Sequence, residues 1–460
     1  MTDLLDQSAT AQIKALKSGA VSPRELMTAT LDRIEARNPA VNAIVALQDR
    51  DMLLTAADQA KGPLNGLPMA IKDLAETAGI TTTYGSPIFK DHVPTTDCAM
   101  VAALRKAGAV IIGKTNTPEW GLGSHSYNPV YGVTRNPYDT SKSAGGSSGG
   151  AGVALATRML ALADGSDMMG SLRNPAGWNN VFGFRPSYGL VANSGPAEAF
   201  LHQLATNGPM ARHIADLELL LGLQSYHDPA SPHSIGPYVS SPDADPLKIG
   251  WLRDWGGAYP MEDGVLDLCD AGVAILSDMG HEIIEIAPPF SAAALWDSWV
   301  TLRHWAVAEK SRPLYEDPAK RALLKPAAIW EIERGLKLTG AQISAASRIR
   351  SNWFRTTSSM DVDVLALPTA QLFPFDVDLD WPKQIAGTPM DTYHRWMEVV
   401  IPASLTGLPA LSIPVGFGAS GTPMGLQLIG HRGADAQILA LGRAYEDATD
   451  WISKAPPLPV

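Results

Sequence analysis

The sequence predicts an α/β layered protein. One observation is the order helix, glycine, strand, which occurs twice: Ala99–Lys106, Gly108 and the buried strand Ala109–Ile112, then Leu266–Asp278, Gly280 and Glu282–Ile286. The second is a series of short apolar runs at Lys248–Trp251, Val362–Leu367, Leu411–Val415 and Gly425–Ile429, each of strand length. Helices alternating with short apolar strands fit helical layers packed on a sheet. Third, the 460 residues are 45% apolar and 18% charged, enough to fill a sizeable core. No composition shift marks a boundary, so residues 1–460 are expected to form one domain.

Residues 1–60 read as a helical layer outside that core. Ser22-Pro23-Arg24-Glu25 is a helix start, with a serine cap, proline in the first turn and glutamate three residues on. Met27, Leu31 and Ile34 then share a face, and the helix is expected to stop before Asn38-Pro39. From Gly66 the pattern changes: Pro68-Met69-Ala70-Ile71 is an apolar strand leading to Lys72. Val153–Ala163 reads as helix and then extended chain, and the Ser-, His- and Pro-rich stretch from Leu201 to Lys248 as a connecting region. Val399–Val415 is the longest apolar tract, but Pro402, Pro409 and Pro414 make it strands and turns, not a membrane span.

The formal net charge of −11 argues against nucleic acid and anionic membrane as partners. Cys98 and Cys269 form neither a CxxC nor a Cys/His cluster. No disulfide framework and no metal site is expected. The first residues carry no basic stretch followed by an apolar one, so no secretory leader is expected and a cytoplasmic setting fits.

Three polar positions carry chemistry. Most lysines are solvated surface charges, but Lys72 ends an apolar strand, where lost hydration lowers an ammonium's pKa and frees a general base. Asp73 beside it falls on the other strand face. Gly145-Gly146-Ser147-Ser148-Gly149-Gly150 reads as a flexible turn, as a weak phosphate cradle, or as a nucleophile elbow, since both serines fit G-x-S-x-G. That elbow needs an apolar strand before it, and Asn136–Lys142 cannot supply one, which weakens a Ser-His-Asp reading with His394 or His431. In the second turn, Gly165 to Ser171, successive N–H groups could face one developing oxyanion, with Ser171 placed to attack a carbonyl. Asp167 and Arg173 read as an ion pair that fixes this loop.

These residues resemble the amidase signature family. The resemblance is a series in order: Gly66-Leu67-Pro68-Met69-Ala70-Ile71-Lys72-Asp73, Gly113-Lys114-Thr115-Asn116, Gly145–Gly150, Gly170-Ser171-Leu172-Arg173, Gly183-Phe184-Arg185-Pro186, Leu405–Ala410 and Gly425–Gly430. It covers nearly the whole chain and is strongest from Gly66 to Leu190, so residues 66–190 are taken as the signature core. The resemblance implies one large α/β/α domain around a mixed, twisted sheet. It also implies a Ser–cis-Ser–Lys triad with Lys72 as base, Ser147 as the bridging serine on a cis peptide bond, and Ser171 as nucleophile. No cofactor is implied. The partner is a small-molecule amide, and a homodimer is common among relatives.

In that arrangement Ser171 gives its proton to Lys72 through Ser147 and attacks the amide carbon. N–H groups around Met168, Met169, Gly170 and Ser171 hold the oxyanion. By resemblance the segment from Gly121 through Gly123 to Ser124 lines the substrate channel, and Trp120, Trp178, Trp381 and Trp396 are candidates for an aromatic wall. Two departures from the family pattern are Met169, where glycine is usual, and Asp164, at a commonly apolar position. The expected activity is hydrolysis of a small or aryl amide, with esters and carbamates as further substrates. The alternative is the glutamine-hydrolysing component of a tRNA-dependent amidotransferase.

Overall fold

The computed structural model describes residues 2–191, 198–241 and 245–456. Its centre is an eight-stranded mixed sheet. In spatial order the strands are Glu282–Glu285, Lys248–Trp251, Val364–Pro368, Pro423–Gly430, Ala410–Phe417, Phe182–Arg185, Thr206–Ala211 and Leu162–Asp167. The first three run parallel and the remaining neighbours pair antiparallel. Strands such as Val364–Pro368 and Pro423–Gly430 are buried along their whole length, so both faces are covered. A separate three-stranded sheet holds Pro68–Lys72, parallel to Val110–Thr115, with Ile44–Val45 on the far side.

The expected α/β layering is present. The helix Ala99–Lys106 ends before Gly108, whose φ of +89° turns the chain into the strand Val110–Thr115. The second such unit, Val265–Asp278, Gly280 and Glu282–Glu285, forms the same way. Helices Thr2–Asp6, Ala9–Ser18, Pro23–Val41 and Arg50–Gln59 make the N-terminal layer. Ser22 and Glu25 form the reciprocal cap that their spacing predicts.

Three expectations are corrected. The helix from Pro23 runs through Pro39 to Val41. The Asn38 side chain makes this possible: it accepts from the N–H groups of Ala43 and Ile44 and donates to the Ile44 carbonyl, closing the end that the proline leaves open. The stretch read as a connection from Leu201 to Lys248 contains the strand Thr206–Ala211 and the helix Ile214–Gln224; its positions 242–244 lie outside the described residues. Asn207-Gly208-Pro209 looks like a turn, but a Cβ on Gly208 would strike the Phe184 carbonyl, so the glycine serves close strand approach. The tract from Val399 is not all strands and turns: it opens with the helix Ile401–Thr406, with Pro402 in the first turn and Gly407 as left-handed cap, before the strand Ala410–Phe417.

The helices Ala292–Glu316, Pro326–Gly335 and Gly340–Ser359 had no assignment from sequence. The first of them buries Leu295, Trp296, Trp299, Leu302 and Arg303. Among the described residues no helix is long and apolar enough to cross a membrane. Cys98 and Cys269 are both free thiols.

Candidate active site

Lys72 is the last residue of its short strand and is 1% exposed. Its backbone N–H donates to Asp164 Oδ1 at 3.0 Å. Its ammonium nitrogen lies 2.8 Å from Ser147 Oγ, 2.8 Å from Ser148 Oγ and 3.1 Å from Ser166 Oγ. Burial lowers the amine's pKa to about 7, against the opposing pull of Asp164 and Asp167. Burial likewise raises the Asp164 carboxyl to about 6, although the Lys72 N–H and the charges of Lys114 and Lys72 favour its ionised form. Asp73 does not pair with Lys72; it accepts from the Thr83 N–H and hydroxyl.

No strand precedes the serine loop, in keeping with the sequence, and the loop is held by its neighbours. The Gly146 N–H donates to Asn174 Oδ1, the Gly149 N–H donates to Ser126 Oγ, and Ser126 Oγ donates to the Gly145 carbonyl. The Gly146–Ser147 peptide bond is cis. Gly145 has φ +75°, and a Cβ there would come within 2.6 Å of Asn174 Oδ1 and 3.1 Å of the Trp178 ring. The helix Gly149–Ala156 begins directly after the two serines. The Ser148 N–H donates to the Ser171 carbonyl at 3.3 Å, so the two serine turns are joined.

Ser171 is 6% exposed and follows Gly170, whose φ of +78° packs it against Val400. The loop is shaped by Asp167, which is wholly buried. Its carboxylate accepts from the N–H groups of Gly170 (2.9 Å) and Leu172 (3.2 Å), from Arg173 in a two-pronged contact (3.0 and 3.0 Å), and from Arg185 (3.0 Å). Burial alone would raise this carboxyl, but the guanidinium groups of Arg173 and Arg185 outweigh it and hold the pKa below the usual range. The expected loop-fixing pair is therefore present and larger than read, since Arg185 joins it. The Gly170 N–H is spent on Asp167, which removes it from the expected set of oxyanion donors. Among the described residues the N–H groups of Met169 and Ser171 take no partner.

Gly121 stands beside the cluster: a Cβ on it would lie 3.5 Å from Ser147 Oγ, and its φ is +68°. Gly123, with φ +99°, adjoins the Tyr393 ring. Met168 is half-buried against Arg303, whereas Met169 is 3% exposed and joins the core. Trp178 is also core: it is fully buried, stacks on Trp396 at 5.7 Å and donates to the Leu372 carbonyl. It braces the serine loop from behind and is not a pocket wall. Neither His394 nor His431 bonds a serine of the cluster; His431 Nε2 pairs with the Val362 carbonyl.

Two contacts on Lys72 escaped the sequence reading. Asp164 and Ser166 lie two apart on the strand Leu162–Asp167, on one face by simple alternation. That alternation was the available signal. Arg303, which meets Met168, and Tyr393, which adjoins Gly123, left no signal, because they come from a helix and a loop with no motif of their own.

A buried amine among serine hydroxyls, beside a mixed sheet with helices on it, is the equipment of a hydrolase that acts on carbon–nitrogen bonds of amides. The family model described as Amidase matches residues 25–439, and the chain belongs to that family. It is 32% identical over 469 residues to an acylamidase of Rhodococcus erythropolis, covering 98% of this chain and 97% of that one. It is also 32% identical over 474 residues to a glutamyl-tRNA(Gln) amidotransferase component from Gloeothece citriformis, covering 95% of this chain and 96% of that one. Among solved structures it resembles a bacterial aryl acylamidase of the amidase signature enzymes, with a TM-score of 0.91, 26% identity and 99% of both chains covered.

Proposed function

We propose that the chain hydrolyses a small or aryl amide through an acyl-enzyme, with Lys72 as base, Ser147 as relay and Ser171 as nucleophile. The observation that carries this reading is the 2.8 Å contact between the Lys72 amine and Ser147 Oγ, in a setting where the amine's pKa falls to about 7. A neutral amine takes the Ser147 proton as Ser147 takes that of Ser171. Ser171 Oγ then bonds to the amide carbon, and the carbonyl oxygen gains negative charge. The free N–H groups of Met169 and Ser171 are the donors available to it. The lysine proton returns through Ser147 to the leaving nitrogen as the carbon–nitrogen bond breaks. Water, deprotonated by the same relay, releases the acid. Esters and carbamates present the same carbonyl and are further candidate substrates. The acylamidase relative supports an acyl amide substrate.

The test is substitution. Ser171→Ala is expected to lower kcat/KM by at least about a thousandfold, and Lys72→Ala by about a hundredfold to ten-thousandfold. Turnover near wild type in either variant refutes the assignment. A second reading has direct support from the amidotransferase relatives, which match over nearly the whole chain: the same serines would release ammonia from glutamine for a partner. Turnover of simple amides by the purified chain alone separates the two readings.

A further inference from the structure

Four segments meet beside the serine cluster. The loop Gly121–Gly123 passes Ser147, and its central carbonyl, that of Leu122, accepts from Lys325 Nζ at 2.6 Å. Gly123 adjoins the ring of Tyr393. The Tyr393 hydroxyl donates to Glu331 Oε1 at 2.6 Å and accepts from Arg303 Nη2 at 2.7 Å. Arg303 also donates through Nε to Glu331 at 2.7 Å, and its Nη1 reaches the Met168 sulfur at 3.4 Å, on the loop that leads to Ser171.

This wall holds more donors than acceptors. Arg303 is 3% exposed, and the partner of its Nη1 is a thioether, a weak acceptor. An ammonium has three N–H donors, and that of Lys325 has one acceptor and no carboxylate within 4.0 Å among the described residues. Ser124, next to Gly123, is 1% exposed, and its hydroxyl has no partner among the described residues. The nearby carboxylates are partly engaged, and Glu119 and Asp380 act on Lys325 through their charge without pairing with it. Glu331 serves Arg303, Tyr393 and His304 Nδ1, the last at 2.6 Å, and Glu119 accepts from the Ser86 hydroxyl. A buried hydroxyl without a partner is an exception in native proteins, and one that stands near a guanidinium held by a weak acceptor and a half-buried ammonium with one acceptor fits a ligand that supplies what is missing.

We infer that the wall formed by Arg303, Lys325 and Ser124 binds a second acceptor oxygen of the substrate, a carboxylate or carboxamide set apart from the amide that is cleaved. The natural substrate is then an amide with a second carbonyl-type group, not a plain alkyl or aryl amide. Burial lowers the Lys325 pKa to about 8, so the ammonium keeps its proton at neutral pH and favours the carboxylate form.

This inference rests on the proposed Ser171 chemistry. Its test uses matched anilides: a plain one, one with a distal carboxamide and one with a distal carboxylate, with the group on the acyl side in one set and on the amine side in another. The wild-type enzyme is expected to turn over one acceptor-bearing anilide with kcat/KM about tenfold or more above the plain one, through KM. Whichever acceptor wins identifies the group. Lys325→Met and Ser124→Ala are expected to cost that anilide several times more than the plain one. Arg303→Gln adds a third variant, and because it strands Glu331, the first two keep the question decidable if it fails to fold. A wild-type enzyme with no preference, or variants that lose all anilides equally, overturns the inference. Turnover that survives Ser171→Ala overturns the chemistry instead, so the two failures are distinguishable.

Discussion

With its ammonium stripped of water, Lys72 gives up its proton near pH 7 instead of near 10.5. On the proposed mechanism only the neutral amine is active, so kcat/KM is expected to climb through neutral pH and level off above it; a flat profile would count against the lysine. Asp164 modifies that limb. It sits on the Lys72 N–H, is as deeply buried, and its charge favours the protonated amine. The other charges bearing on this pair are Asp167, which acts on Lys72, and Lys114, which acts on Asp164. Asp164→Asn keeps an acceptor for the N–H and removes the charge, so the limb is expected to move to lower pH. An unmoved or raised limb in the pH profile would show that the carboxylate acts only as a backbone partner. Because the two groups titrate close together, the measured midpoints belong to the pair.

The loop between the strand Leu162–Asp167 and the helix Arg173–Trp178 is held from inside by one carboxylate. Asp167 joins its own loop to Arg173 and Arg185, and Arg173 continues to Gln427 Oε1, Ser404 Oγ and the Val400 carbonyl. Removing one partner of a buried ionic network strands the others, at a cost of about 3–5 kcal/mol. Asp167→Asn is therefore expected to lower unfolding free energy by that order in denaturant titration, and with it the order of the Ser171 turn. A loss under about 1 kcal/mol would mean that the network is redundant. Sequence exposed this element well, because Asp167, Arg173 and Ser171 are close in the chain. It exposed the strand at Thr206–Ala211 poorly, because Asn207-Gly208-Pro209 has turn chemistry and only the neighbouring strand explains the glycine. The helix at Ile401–Thr406 was hidden for a related reason: Pro402 reads as a breaker until its place in the first turn is known.

Over the whole molecule, Lys72 and Ser171, the proposed base and nucleophile, come from different sheets. Lys72 ends a strand of the three-stranded sheet, and Ser171 follows the edge strand of the eight-stranded one. Both lie in one chain, together with the loop at Gly121 and the helix that carries Arg303. The purified protein is therefore expected to hydrolyse an acyl anilide with no other protein present; activity found only after addition of a partner would favour the amidotransferase reading. The series of motifs from Gly66 to Gly430 made the sheet and the lysine–serine cluster legible at this scale. The long helices between Ala292 and Ser359 were not, since they pack through scattered apolar positions that a motif does not encode. An amine of low proton affinity is ordinarily the first on a protein to react with acylating dyes and aldehydes. At 1% exposure, sealed behind three hydroxyls, Lys72 is beyond their reach. Such reagents would modify the accessible amines and leave the Lys72 amine untouched, so a covalent probe for this cluster has to be built for oxygen, not nitrogen.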